Sequence, residues 1–296
     1  MLRMPFILAL LTALALPVVG YAQTSSPTMK AIQARKAMLI GYPKDAFPMA
    51  FAGDDGNAQG YSIDLCLRIA DEVRRTLKLE KLDVKFVPVT LASRFDDVVS
   101  GKVDIECGTS TVTLSRLEKV DFTNLSFVDG GSLLVKRGSA VHNVAGLIDE
   151  SVAVIPGTTS DKALRAALAR AHVNAKVVEV PDHQAGLAAV DSGKVTAYAS
   201  DRVILVGLIV KSANPDAYDI AQGQFSYEPY GFSIRRGDPD FRLAANVAEV
   251  AEILRESFWA KDAKLEPVLE DLQALNSRDD KVQELIELVK KAKELK

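Results

Sequence analysis

The residues best suited to chemistry lie in Val103-Asp104-Ile105-Glu106-Cys107-Gly108-Thr109-Ser110-Thr111-Val112-Thr113-Leu114-Ser115-Arg116. This reads as a buried strand that runs out into a hydroxyl-rich turn and then a helix start. Thr109, Ser110, Thr111 and Thr113 offer hydroxyls and backbone N–H groups, and Arg116 follows within reach. A planar guanidinium with hydroxyls around it is a kit for gripping a carboxylate. A capped helix carrying an exposed arginine is the plainer alternative. A second turn, Pro156-Gly157-Thr158-Thr159-Ser160, precedes a helix and presents another set of N–H groups suited to an anion. Ser and Thr are also ordinary N-caps, and the Gly-Lys-Ser/Thr ending of a phosphate-binding loop is missing. Asp201 ends a short apolar strand and opens a helix, as a cleft carboxylate or as a simple N-cap.

These residues need elements to hold them. Met38–Tyr42 reads as a strand ending at Pro43, and 43–60 as a loop-rich stretch turning at 53–57. Ile63, Cys66, Ala70, Val73 and Leu77 form one helical stripe. Residues 82–89 alternate as a strand, and 93–100 make a short helix closed by Gly101. Strand, helix, strand, helix, strand is the order of an α/β wind on a mostly parallel sheet, whose ligands sit at the strands' carboxyl ends. A second unit follows: strands at 132–136, 151–155, 176–180 and 196–200, with helices at 161–171, 185–192 and 202–211. Residues 225–235 are a further strand interrupted at Pro229. Three amphipathic helices are expected after it, at 241–256, 265–275 and 282–295, the last with Val282, Leu285, Val289 and Ala292 on one stripe and Glu287 paired with Lys291.

The ends and composition bound the function. Arg3, the apolar run 6–19 and Gly20-Tyr21-Ala22 read as a signal peptide at 1–22, cut after Ala22. A retained N-terminal anchor is the alternative. Hydrophobic residues at 48% and charged residues at 25%, with a net charge of −3, suit a globular protein and argue against a nucleic-acid partner. Cys66 and Cys107 are the two cysteines; in an oxidising compartment they form a disulfide candidate, with two buried thiols as the alternative. The three histidines, His142, His172 and His183, make no metal cluster, and neither metal nor cofactor is expected.

Taken together, Gly60-Tyr61-Ser62-Ile63-Asp64-Leu65, the Asp104–Arg116 block with Val120-Asp121-Phe122-Thr123, Val152–Ser160, and Pro229–Pro239 resemble the periplasmic amino-acid-binding proteins of ABC importers (type II, solute-binding protein family 3), nearest the glutamate/aspartate-binding branch. The resemblance covers about 38–246. It implies a two-lobe α/β periplasmic-binding-protein-like fold with two crossover hinge strands and extra C-terminal helices. Lobe 1 would be 30–126 with 231–296, lobe 2 would be 131–227, and the hinge would lie near 127–130 and 227–230. It implies a periplasmic monomer that binds a free amino acid between the lobes and presents the closed form to the permease's transmembrane subunits. Carried over by position, Arg116 would clamp the α-carboxylate, helped by Thr109 and the N–H of Thr159. Thr111 would contact both carboxylate and ammonium, and Asp201 would pair with the ammonium. Arg94 and His183 would hold an acidic side chain.

Two departures bear on the ligand. An arginine of the branch is replaced by Pro43 with Lys44 beside it, and a serine by Leu91. Lys44 is a candidate substitute, although an ammonium does not reproduce a guanidinium fork. Glutamine, asparagine or another polar amino acid is therefore an alternative ligand. Trp259 does not align with the tryptophan near the family's usual end. The competing function is a dehydratase-type enzyme on the same fold, which would need a general acid or base such as Asp104 or Glu106 in the cleft. A receptor's sensory domain is a third reading; it would require a membrane span and a signalling domain.

Overall fold

The computed structural model describes residues 26–254, with positions 269–270, 273, 283, 286–287 and 289–290 beyond them. The expected signal peptide lies outside the described residues, as do Trp259, Lys291 and most of the two last expected helices. From that tail, Val289 is buried and Glu287 pairs with Lys290 at 2.7 Å.

Helix α1 (Pro27–Arg35) starts where Ser26 Oγ accepts from the Met29 N–H at 2.9 Å, and it precedes β1 (Ala37–Tyr42). A small antiparallel ribbon follows: β2 (Asp45–Ala46), β3 (Ala50–Ala52) and β4 (Ala58–Gln59). Next come α2 (Tyr61–Thr76), β5 (Asp83–Pro88), α3 (Arg94–Val99), β6 (Ile105–Glu106), α4 (Leu114–Leu117) and β7 (Val120–Asp129). The second half holds β8 (Gly131–Lys136), β9 (Ser151–Val154), α5 (Thr159–Arg170), β10 (Lys176–Glu179), α6 (His183–Asp191), β11 (Ala197–Asp201), α7 (Arg202–Lys211) and β12 (Tyr218–Ile220). Then β13 (Glu228–Arg235) and α8 (Pro239–Leu254) follow.

Two five-stranded sheets result, ordered β5-β1-β6-β13-β7 and β10-β9-β11-β8-β12. The chain leaves the first after Asp129 and re-enters it at Glu228, so it passes between the sheets twice. This is the two-lobe α/β architecture. The sheets are mixed rather than mostly parallel. In each, two parallel pairings are followed by two antiparallel ones. In the first sheet the antiparallel share comes from β13, which returns against both β6 and β7; in the second it comes from β8, which pairs with β11 and β12. Pro229 does not interrupt β13. It sits opposite Val128, and its carbonyl accepts from the Val112 N–H at 2.7 Å, so the lost donor leaves a usable acceptor.

The stripe of α2 packs as its periodicity requires, with Ile63, Cys66, Ala70, Val73 and Leu77 all buried. Cys66 joins Cys107 in a disulfide inside that core, tying α2 to the end of β6.

The ribbon reaches across to the other half. Ala46 and Met49 are buried in a cluster with Tyr198, Leu205 and Leu208. Lys211 Nζ lies 4.9 Å from the centre of the Phe47 ring. At Gly207 of α7, an added Cβ would come within 2.0 Å of the Phe47 carbonyl oxygen. Glycine is thus required there by close approach of two backbones. Alanine inside a helix ordinarily adds about 0.5–1 kcal/mol over glycine. Gly207→Ala is nonetheless expected to hold the halves apart, read as a larger radius of gyration in small-angle scattering than the native chain.

Candidate functional site

A small cavity lies between the two halves. Arg94, Thr109 and Arg116 line it from the first half, and Thr159, His183 and Asp201 from the second. Each stands at an element end. The strand stops at Glu106, and the hydroxyl turn carries the chain into α4. There Thr113 Oγ1 accepts from the Arg116 N–H at 3.2 Å. That cap turns Arg116 back over the turn, where Nη1 donates to the Thr111 carbonyl at 2.7 Å. Thr158 caps α5 through the Asp161 N–H at 3.1 Å, leaving the first-turn N–H of Thr159 without a partner inside the helix. Asp182 caps α6 through the Ala185 N–H at 2.7 Å and places His183 at its first turn.

The two arginines share one ring: the guanidinium of Arg94 lies 4.6 Å and that of Arg116 5.2 Å from the Phe95 centroid. Arg94 is only 4% exposed. Its Nη1 donates to the Leu91 carbonyl, while its buried Nε has no partner. Burial and then the neighbouring Arg94 push Arg116 down to about 10, against the pull of Glu228, Glu106 and Asp201. Burial lowers Arg94 as well. This end of the cavity therefore favours an anion.

Asp201 is the opposite pole. It makes no capping bond to α7. Instead Oδ1 accepts from Ser160 Oγ, and Oδ2 accepts from Tyr230 OH at 2.5 Å. Burial, then Glu228, push its carboxyl up to about 6. His183 Nδ1 lies 2.8 Å from Tyr198 OH, and burial lowers its pKa despite Asp45 and Asp182, favouring the neutral ring.

Two candidates do not line the cavity. Lys44 is exposed and lines a separate groove with Asp45, Phe47, Gln184 and Lys211. Its carbonyl accepts from the Ala52 N–H at 2.9 Å, which builds it into the base of the ribbon rather than the cavity wall. Thr111 is buried at the edge of the wall, its hydroxyl bonded to Glu228 at 2.6 Å and 3.2 Å from the hydroxyl of Thr159, which lines the cavity. Asp104 and Glu106 are not among the cavity's lining residues. Asp104 accepts from Arg35 and from the Leu39 N–H at 2.8 Å. Glu106 accepts from Ser110 and Ser233 at 2.7 and 3.1 Å. Glu228, Tyr230, Tyr198, Ser160 and Phe95 were not legible as site residues. The aromatic in Arg94-Phe95 is the one local signal that pointed there.

The chain matches the bacterial extracellular solute-binding proteins, family 3, over residues 38–263. It belongs to that family. It is 31% identical over 249 residues to the L-glutamate/L-aspartate-binding protein of Pseudomonas aeruginosa, covering 84% of this chain and 81% of the relative. It is 29% identical over 221 residues to the glutamate/aspartate import solute-binding protein of Escherichia coli K12, covering 75% and 73%. A crystal structure of an ancestral amino acid-binding protein, a precursor of cyclohexadienyl dehydratase, superposes with a TM-score of 0.67 at 27% identity, covering 80% of this chain and 97% of that one. Among the described residues, no helix of this solute-binding family member is long and apolar enough to cross a membrane.

A raised carboxyl gives the uncomplexed protein a pH dependence of known sign. Between the ordinary value of 3.8 and about 6, the folded state holds a proton at Asp201 that the unfolded state has released. The stability it contributes is complete below the lower value and lost as pH rises through the upper one. Asp201→Asn is expected to flatten that slope, with the raised carboxyls of Glu106 and Asp129 keeping the remainder, checked by urea unfolding at a series of pH values from 4 to 7.5 in the absence of ligand.

Proposed function

We propose that this family member captures a free α-amino acid in the periplasm and delivers it to the transmembrane subunits of an ABC permease. Glutamate or aspartate is the favoured ligand; glutamine, asparagine or another polar amino acid is the alternative. The observation that carries this is one cavity with the guanidinium groups of buried Arg94 and half-buried Arg116 at one pole and the buried carboxylate of Asp201 at the other. A zwitterion needs that pairing, and a site closed to water makes each contact stronger and each mismatch more costly.

In this reading Arg116 clamps the α-carboxylate with the N–H of Thr159, Thr109 completes the wall, and Asp201 takes the ammonium. The ligand side chain points to Arg94, whose unpartnered Nε awaits an acceptor, and to the neutral His183. With Lys44 outside the cavity and Leu91 lining it, Arg94 bears most of the side-chain recognition. The lobes are 30–126 with 231–296 and 131–227, and rotation falls at 127–130 and 227–230, where few residues absorb the change. The named relatives in import of glutamate and aspartate support the same assignment.

A dehydratase-type reading draws on the ancestral precursor and on the raised carboxyl of Asp201. Mass spectrometry after prolonged incubation separates the two: intact ligand in a one-to-one complex supports capture, and turnover supports the enzyme.

A thermal-shift screen of the twenty amino acids is expected to give hits worth about 2.7 kcal/mol at a hundredfold excess over Kd. Arg116→Ala should weaken every hit on the order of 100-fold or more, because it strands a buried anion. Arg94→Ala should affect only acidic and amide ligands. Unchanged affinity in Arg116→Ala by titration calorimetry would overturn the carboxylate clamp.

A further inference from the structure

Three hydroxyls converge on one carboxylate where the chain re-enters the first sheet. Glu228 opens β13 and is 1% exposed. Its Oε2 accepts from Thr111 Oγ1 and from Thr159 Oγ1, each at 2.6 Å. Its Oε1 accepts from Ser226 Oγ at 2.6 Å. Thr111 belongs to the turn after β6, Thr159 to the first turn of α5, and Ser226 to the returning crossover. One side chain therefore touches both halves and the segment that joins them.

A hydroxyl has one proton to give and lone pairs to accept with, whereas a carboxylate only accepts. With both threonine protons committed to Glu228, the two oxygens meet each other as acceptors, 3.2 Å apart. Two acceptors at that spacing are matched by a donor that bridges them. The Asp201 carboxylate adds a further acceptor nearby, held by Ser160, the residue next to Thr159. A primary ammonium, with three N–H donors and a positive charge, satisfies such a set; a carboxylate does not.

We propose that Glu228 is a positioning residue which fixes the hydroxyls of Thr111 and Thr159 as acceptors and so makes this end of the cavity selective for a primary ammonium group. The inference rests on the amino-acid reading above, with the ligand's α-amino group as that ammonium. It revises the expected role of Thr111. Its hydroxyl oxygen serves the ammonium end alone, while its carbonyl holds Arg116 in place at 2.7 Å.

The test compares, by calorimetric titration of the native protein and its variants, L-glutamate with its des-amino analogue glutarate, and L-glutamine with glutaramate. Glu228→Met keeps the side-chain length and removes the acceptors; Glu228→Gln keeps an acceptor oxygen. Glu228→Met is expected to weaken the amino acid about tenfold or more while changing the des-amino analogue less than about threefold, as loss of ammonium-specific hydrogen bonds requires. Glu228→Gln should stay within about threefold of native for both. Equal weakening of both analogues by Glu228→Met shows a merely structural role and overturns the proposal. So does an unaltered ratio, or damage by Glu228→Gln equal to that of Glu228→Met. If circular dichroism shows Glu228→Met unfolded, the double variant Thr111→Val with Thr159→Val takes its place, with the same selective loss expected and an equal loss overturning. If the native chain binds neither amino acid, the amino-acid reading falls and this proposal with it. If it binds one and the ratio is unmoved, this proposal alone falls.

Discussion

Taking a guanidinium out of water is costly, and this protein packs two of them about one aromatic ring, Arg94 buried and Arg116 half-buried. Arg94 and Arg116 both lie about the Phe95 ring, at 4.6 and 5.2 Å from its centre, and the first depresses the pKa of the second. What offsets that repulsion is a set of acids drawn from distant parts of the chain: Glu228, Glu106 and Asp201 all act on Arg116. They come from the start of β13, from β6 and from the end of β11. A stable pair of neighbouring cations thus depends on both sheets and on the returning crossover being in place together. Buried charge without such partners would cost several kcal/mol per ion.

The architecture delivers this arrangement by repetition. Both sheets run through two parallel pairings and then two antiparallel ones. In an open α/β sheet the loops beyond the strands' carboxyl ends form the natural crevice. Thr109 follows β6, Thr159 follows β9 and Asp201 ends β11, and all three line the cavity. The halves also meet away from the charges, at the ribbon. The close approach of Gly207 to the Phe47 carbonyl, and the Asp45 carboxylate accepting from the His183 N–H at 3.3 Å, link the ribbon to the wall of the cavity itself.

Much of this was legible locally. The α2 stripe, the glycine closing α3 and the Thr-rich turns at helix starts each rest on interactions within a few residues, so periodicity and capping preferences reveal them. β7 was not read as a strand, and Pro229 was taken as a break. Both errors have one cause: the two segments are strands because they pair with each other, Asp129 with Glu228 through to Val120 with Arg235, far apart in the chain, and neither announces its partner. The same holds for Glu228, which reads as one acid in a crossover until Thr111 and Thr159 are brought to it.

The amino-acid sequence by itself determined most of the elements, the two α/β units and the residue types able to hold opposite charges, because each is set by short-range sterics, hydrogen bonding and hydrophobic period. Only the tertiary structure decided which charges share a space. It placed Arg94, Arg116, His183 and Asp201 around one cavity, turned Lys44 into a neighbouring groove and tied the Thr111 hydroxyl to Glu228 beside Thr159. Electrostatic partnership depends on distance and burial in three dimensions, and neither is written in the spacing of residues along a chain.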